Sequence, residues 1–151
     1  MRLSDLLTET SISVDLKSQA KEDIIRELLE LAVTTGNVKD KKATLQDVMK
    51  REELMSTGLE KGIAVPHAKS SAISKMTMAL GISKEGVDFN SADGKPSHLF
   101  FMLLAPEAAA GPNVQALGQI ARLTAQTTFC EDLTQASSAS DLLDMIKKLE
   151  M

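Results

Sequence analysis

KPSHLFFMLLAP, residues 95–106, is the stretch on which the fold turns. Leu99 to Ala105 is the longest apolar run in the chain. A run of strand length that is apolar on both faces predicts a central strand covered by helices on either side. Upstream, Met76, Met78, Leu80 and Ile82 alternate with other residues and predict a neighbouring strand against a core. Glu85-Gly86 ahead of Val87 to Phe89 reads as a turn into a short hairpin partner. Ile63-Ala64-Val65 is a short strand that Pro66 closes, because proline lacks the N–H a ladder needs and restricts Val65 to extended backbone. His67 then stands at that strand's end. Ile12, Val14 and Leu16 suggest a first strand after a helical turn at Leu3 to Leu7.

Helical spacing fills the rest. Ser18 reads as an N-cap, Glu22 and Asp23 suit a first turn, and Ile24, Ile25, Leu28, Leu29 and Ala32 form one apolar face that stops before Gly36. A second helix is predicted from Ala43 to Leu54, with Leu45, Val48 and Met49 inward and Thr44 and Asp47 as a capping box. It ends in the breaker cluster Ser56-Thr57-Gly58. Pro112 suits a first helical position, followed by Val114, Leu117, Ile120, Ala121 and Thr124 at helical spacing. Two shorter helices are expected, from Phe129 to Ala136 and from Ser140 to Leu149. The sum is an α/β fold with a mixed sheet of about five strands sandwiched between helices, three layers in all. Residues 1–151 read as one domain, since no repeat, proline-rich linker or block of like charge divides them.

Composition excludes several functions. Lys and Arg number 17 and Asp and Glu 21, a net charge of −4, which argues against a phosphate-backbone binding surface and hence against nucleic acid. With no Trp, no Tyr and 4 Phe, the chain lacks stacking platforms for single strands. The N-terminal residues mix charges into their apolar positions, so neither a signal peptide nor a membrane anchor is expected. Cys130 is the lone cysteine; it forms no internal disulfide and supplies no thiolate cluster, consistent with a cytoplasmic setting. His67 and His98 are the only histidines and lie far apart, so no metal motif is expected. No glycine-rich nucleotide loop and no GxSxG nucleophile motif occurs, and no cofactor is expected.

What remains is the dense segment Arg51 to His67, where an arginine, hydroxyls, glycines and a histidine cluster around one strand. Its chemistry suits a phosphoryl group. A neutral imidazole, with a pKa near ~6.5, is a nucleophile at cell pH. Phosphoryl transfer asks for positioning and charge neutralisation, and the Arg51 guanidinium matches phosphate oxygens with a fork of donors. The hydroxyls and N–H groups of Ser56-Thr57-Gly58 are candidate further contacts, with Gly58 allowing close approach.

R-E-x-x-x-S-T-G over Arg51–Gly58, followed by G-I-A-V-P-H ending at His67, resembles the active-site signature of the fructose/mannitol-type enzyme IIA family of the bacterial phosphotransferase system. The likeness extends to the opening MRLSDLL, the central KPSHLFFMLLAP strand and the helical C-terminus, and is nearest to the nitrogen-regulatory branch. The resemblance implies a cytoplasmic phosphocarrier. His67 would accept a phosphoryl group from phospho-HPr or its nitrogen-branch counterpart, and Arg51 would neutralise it. Ser56, Thr57, Gly58 and Asn113 would support the site. The partner beyond is a sugar-permease IIB domain or a regulated target protein.

Two positions depart from the family pattern. Asn113 occupies the place of a second histidine, and an amide donates a hydrogen bond but carries no charge. Glu60 replaces a usual glycine and puts a carboxylate near the site unless it points outward. Two rival readings stand beside the carrier: a protein-binding module that has lost efficient transfer, and a hydrolase using His67 as general base, which lacks an identifiable carboxylate orienter. Taken singly, Arg51 reads as a helix-end cation, Asn113 as a helix cap, His98 as a satisfied structural residue and Cys130 as a small half-buried residue.

Overall fold

Strand β5, Ser97–Pro106, runs through the middle of the molecule, and Leu99 to Ala105 are wholly buried in it. This is a computed structural model, and it describes residues 2–126 and 128–151. Strand β4, Thr77–Val87, lies antiparallel on one side of β5, with Leu80 against Phe101. On the other side lie β2, Ile63–Ala64, and β3, His67–Ser70, both parallel to β5. Ile63 faces Leu99 and His67 faces Leu103, so β2 and β3 are one line of strand interrupted at Val65-Pro66. Strand β1, Ile12–Ser13, pairs parallel with the outer edge of β4. Among the described residues the result is the expected mixed sheet of five strands.

Alternation along β5 divides the core in two. Leu99, Phe101 and Leu103 face a cluster built with α3 (Ala110–Thr124), α4 (Phe129–Leu133) and α5 (Ala139–Leu149). Phe100, Met102 and Leu104 face α1 (Lys21–Val33) and α2 (Lys41–Leu54). These are the three layers that the doubly apolar strand implied.

Local details differ from the sequence reading. His67 opens β3 instead of ending a strand, because the chain resumes pairing with β5 once past Pro66. Glu85-Gly86 is no turn: β4 continues to Val87, which pairs with Ser97 across an irregularity after Ile82, with Gly86 at φ +86°. The first strand stops at Ser13, although Leu16 still donates its N–H to Ile82 O at 2.9 Å.

Caps also move. Helix α1 is preceded by Ala20, and Ser18 instead donates its N–H and hydroxyl to the Glu27 carboxylate. Asp40 caps α2 by accepting from Ala43 N at 3.1 Å, while Thr44 lies buried inside the helix and donates to Asp40 O. Pro112 is the third residue of α3, not the first, and Asn113 lies in the helix instead of capping it. The inward face of α3 is Asn113, Ala116, Ile120 and Leu123, so Val114 is left exposed. Helix α4 ends at Leu133, short of Ala136.

Candidate active site

Helix α2 ends at Leu54, and the chain from Ser56 to Ile63 turns back along the edge of β2. Val65 donates its N–H to Thr57 O at 3.0 Å, and Leu59 donates to Ile63 O at 2.7 Å. Gly58 is needed there for space. A Cβ on it would lie 2.8 Å from both Phe89 O and Ser91 Oγ and 2.9 Å from Ser91 Cα.

His67 follows directly. Its pairing with Leu103 puts it on the sheet face of Ile63, Val65 and Leu103, the face that α3 covers. The ring is half-buried, and its Nδ1 lies 2.8 Å from Val65 O. A carbonyl oxygen only accepts, so the proton of the neutral ring resides on Nδ1 and Nε2 keeps its lone pair. Burial pushes the imidazole pKa below its ordinary 6.5; the Val65 carbonyl opposes this, the Arg51 charge adds to it, and the Glu52 charge works against it. The ring is therefore neutral near pH 7.

Arg51 occupies the last turn of α2, where a cation suits the helix dipole. It donates from Nη1 to Met55 O at 2.9 Å, and its charge reaches His67. Asn113 sits in the first turn of α3, just beyond the end of β5 and on the helix face turned to the sheet. It is buried, and its Oδ1 has no hydrogen-bond partner.

The hydroxyl turn is organised inward. The Ser56 hydroxyl donates to Phe89 O at 2.6 Å and accepts from Gly58 N. Thr57 donates both its N–H, at 2.9 and 3.0 Å, and its hydroxyl, at 2.6 Å, to the carboxylate of Glu52. These donors brace the loop that carries the chain to His67, and their bonds to Phe89 O, Ser56 Oγ and the Glu52 carboxylate take the place of the direct phosphoryl contacts expected of them.

Glu52 was missed in the sequence. It is buried, with Lys21 Nζ 3.7 Å away, and Lys21 also lies 4.7 Å from the centre of the Phe89 ring. The readable signal was a carboxylate at a helix end five residues before a threonine; its burial had no local signature. Glu60 is exposed and borders a separate cleft of about 1060 Å³ with Lys61, His98 and Cys130. That cleft opens at the starts of β2 and β5, and Ile63 to His67 spans roughly 13 Å of extended chain. Glu60 thus borders a cleft that His67 does not line. In the same cleft His98 Nδ1 is satisfied by Ser83 O at 2.9 Å, and burial raises the Cys130 thiol pKa to about 11. Among the described residues no group of three or more potential ligands is arranged to hold a metal.

Residues 5–149 match the family model described as "Phosphoenolpyruvate-dependent sugar phosphotransferase system, EIIA 2". The fructose-specific EIIA component of Haloferax volcanii is 37% identical over 99% of both chains. The fructose-specific EIIABC component of Bacillus subtilis is 34% identical over 98% of this chain, which spans only 23% of that protein's length. Among solved structures, nitrogen regulatory protein IIA-Ntr from Neisseria meningitidis superposes with a TM-score of 0.88 at 29% identity, covering 95% of this chain and 98% of that one.

Proposed function

The chain belongs to the EIIA 2 family of the phosphoenolpyruvate-dependent sugar phosphotransferase system, and on that premise we propose that it is a phosphohistidine carrier with His67 as the phosphorylated residue. The observation that carries this reading is the Nδ1 contact of His67 with Val65 O at 2.8 Å, because it leaves Nε2 as the nucleophile. The Nε2 lone pair attacks phosphorus on a phosphohistidine of the donor carrier. The donor N–P bond breaks, its electron pair returns to the donor imidazole, and the new N–P bond forms on Nε2. Nδ1 keeps its proton, so the ring becomes positive and its bond to Val65 O becomes charge-assisted. Arg51 supplies the opposing charge to the phosphoryl oxygens, and Asn113 an uncharged amide at the place where the family resemblance implies a second histidine.

The donor is phospho-HPr or its nitrogen-branch counterpart, in the cytoplasm. Leu54 and Met55, 82% and 71% exposed at the end of α2 beside Arg51, provide an apolar rim for such a protein. No described helix is long and apolar enough to cross a membrane. The role that follows phosphorylation is regulatory, of the nitrogen-regulatory kind, supported by the opening MRLSDLL and the superposition on IIA-Ntr. A second reading, transfer to a fructose-type IIB domain, is favoured by the 37% identity to a fructose-specific EIIA component. Added phosphoryl charge distinguishes the two forms of the protein to any partner at this rim.

The test is incubation with phosphoenolpyruvate, the first enzyme of the relay and each candidate carrier, followed by intact mass. The expected result is one acid-labile phosphoryl group on the wild type and none on His67→Ala. Absence of the adduct with every carrier favours the binding module of the same fold. Passage of the group onward to a IIB domain identifies the transport role, and its retention with all of them the regulatory one.

A further inference from the structure

Glu52 is a buried carboxylate to which phosphoryl transfer assigns no direct part. Its side chain is 6% exposed, and its only cationic partner within 4.0 Å among the described residues, Lys21, stands at 3.7 Å. Burying a carboxylate is costly unless its oxygens are well satisfied, and an apolar residue would fill the same space without that cost. The charge is kept where it meets three donor contacts from a single residue, Thr57.

From Thr57 the contacts continue without a gap. Thr57 O accepts from Val65 N at 3.0 Å, and Val65 O accepts from His67 Nδ1 at 2.8 Å. The path therefore starts at the first residue of α1, crosses to the last turn of α2, enters the hydroxyl loop, and ends on the imidazole. Every step is a hydrogen bond or ion pair between groups that are buried or half-buried. Resting on the carrier reading above, we infer that Glu52, held by Lys21, is a positioning residue for His67: by anchoring Thr57 it holds Val65 in the orientation that keeps the ring proton on Nδ1 and the lone pair on Nε2.

A glutamine does not reproduce this anchor. Thr57 presents an N–H and a hydroxyl to the same carboxylate, whereas an amide offers one acceptor and one donor, setting an NH₂ against an N–H or losing a bond. The negative charge matters as well, since it opposes the Arg51 charge in setting the basicity of His67. Lys21 contributes by pairing with Glu52 and by packing its stem and charge on Phe89, whose carbonyl also takes the Ser56 hydroxyl. Glu52 and Lys21 touch no reacting atom, and their effect passes through Thr57 and Val65.

The experiment compares wild type, Glu52→Gln and Lys21→Met in the full chain by two readouts. One is the tautomer of His67, from long-range ¹H–¹⁵N correlations at a pH where the ring is neutral. The other is the rate of phosphoryl acceptance from a phosphorylated carrier. Wild type is expected to hold the Nδ1–H tautomer alone. Glu52→Gln is expected to populate both tautomers and to accept the group between about tenfold and a hundredfold more slowly, the loss typical of a misplaced reacting group. Lys21→Met is expected to move both readouts the same way by less. A folded Glu52→Gln with an undivided Nδ1–H tautomer and the wild-type rate overturns the inference. If circular dichroism finds Glu52→Gln unfolded, an unchanged tautomer and rate in Lys21→Met overturns it instead. Failure of the wild type to take a phosphoryl group from any carrier refutes the carrier reading, and the tautomer comparison then decides the positioning role alone.

Discussion

The imidazole Nδ1 of His67 lies 2.8 Å from the carbonyl oxygen of Val65, two residues earlier in the same chain. A side chain bonded to its own backbone across a proline has little freedom. Pro66 fixes one dihedral between them, and Thr57 holds Val65 from the other side.

From that contact, phosphorylation is expected on Nε2. Coupled ³¹P and ¹⁵N spectra of the phosphoprotein distinguish the two nitrogens directly. A phosphoryl group on Nδ1 contradicts the assignment, since it requires the Val65 bond to break.

Arg51 lies at the end of α2, and among the described residues its one hydrogen-bond partner is Met55 O, so its replacement is expected to affect transfer and not folding. Arg51→Met should slow phosphoryl acceptance on the order of a hundredfold, as removal of a charge-stabilising donor does. Arg51→Lys should recover part of this, because an ammonium keeps the charge without the fork. Urea midpoints should change by no more than about 0.5 kcal/mol equivalent, the scale of surface substitutions. A large loss of stability in either variant contradicts the placement.

Burial lowers the pKa of His67 in the folded protein below its ordinary 6.5. The unfolded chain then binds the proton more readily, so stability rises with pH across the window between the two values. The contribution is fully present above about pH 6.5 and is lost as pH falls toward the folded pKa. Wild type should lose more stability than His67→Ala over this window in urea titrations. The rate of phosphoryl acceptance should hold down to an inflection below 6.5, and an inflection above that value counts against a neutral buried nucleophile.

Asn113 separates stability from function. Its buried Oδ1 has no partner, so Asn113→Leu removes an unsatisfied acceptor and should gain about 1 kcal/mol. For a domain of this size that is a rise in Tm of roughly 2–4 °C. On the proposed role of its amide as a donor to the phosphoryl group, the same variant should shorten the lifetime of phospho-His67. Thermal unfolding and the decay of the adduct in buffer test the two halves independently; a lower Tm together with an unchanged lifetime refutes both.

Gly58→Ala is expected to cost about 1–3 kcal/mol, because its Cβ has only 2.8 Å to Phe89 O and Ser91 Oγ and 2.9 Å to Ser91 Cα, and two of these three neighbours are backbone atoms. Equilibrium denaturation checks this. A cost near zero means the loop relaxes, and with it the bracing of Val65.

Much of this molecule is legible in residue order because local rules govern it. The apolar run through β5 and the spacing of Ile24, Ile25, Leu28, Leu29 and Ala32 each act over a few residues and each implied its element, and the run apolar on both faces implied the layer order; Pro66 marked the end of β2 but not the resumption of pairing at His67. The family resemblance carried by the segment from Arg51 to His67 was equally plain, since its residues are close in the chain, and the family match covers it. Helix caps were less so: Ser18, Thr44 and Pro112 each satisfy a capping rule, but burial and long-range partners placed the helix starts elsewhere.

Three features depended on contacts between distant segments. Glu52 is a solvated helix-end acid by pattern, and only the arrival of Thr57 from one side and Lys21 from another makes it a buried anchor. Residue order names Asn113 but not its empty acceptor, which follows from how α3 lies on the sheet. It does not place Glu60, which the return of the chain from Gly58 to Ile63 sets at a cleft that His67 does not line. A backbone carbonyl such as that of Val65 is present at every residue, so pattern cannot mark the one that chooses a tautomer; that choice is made by where the packed chain aims its unpaired donors and acceptors.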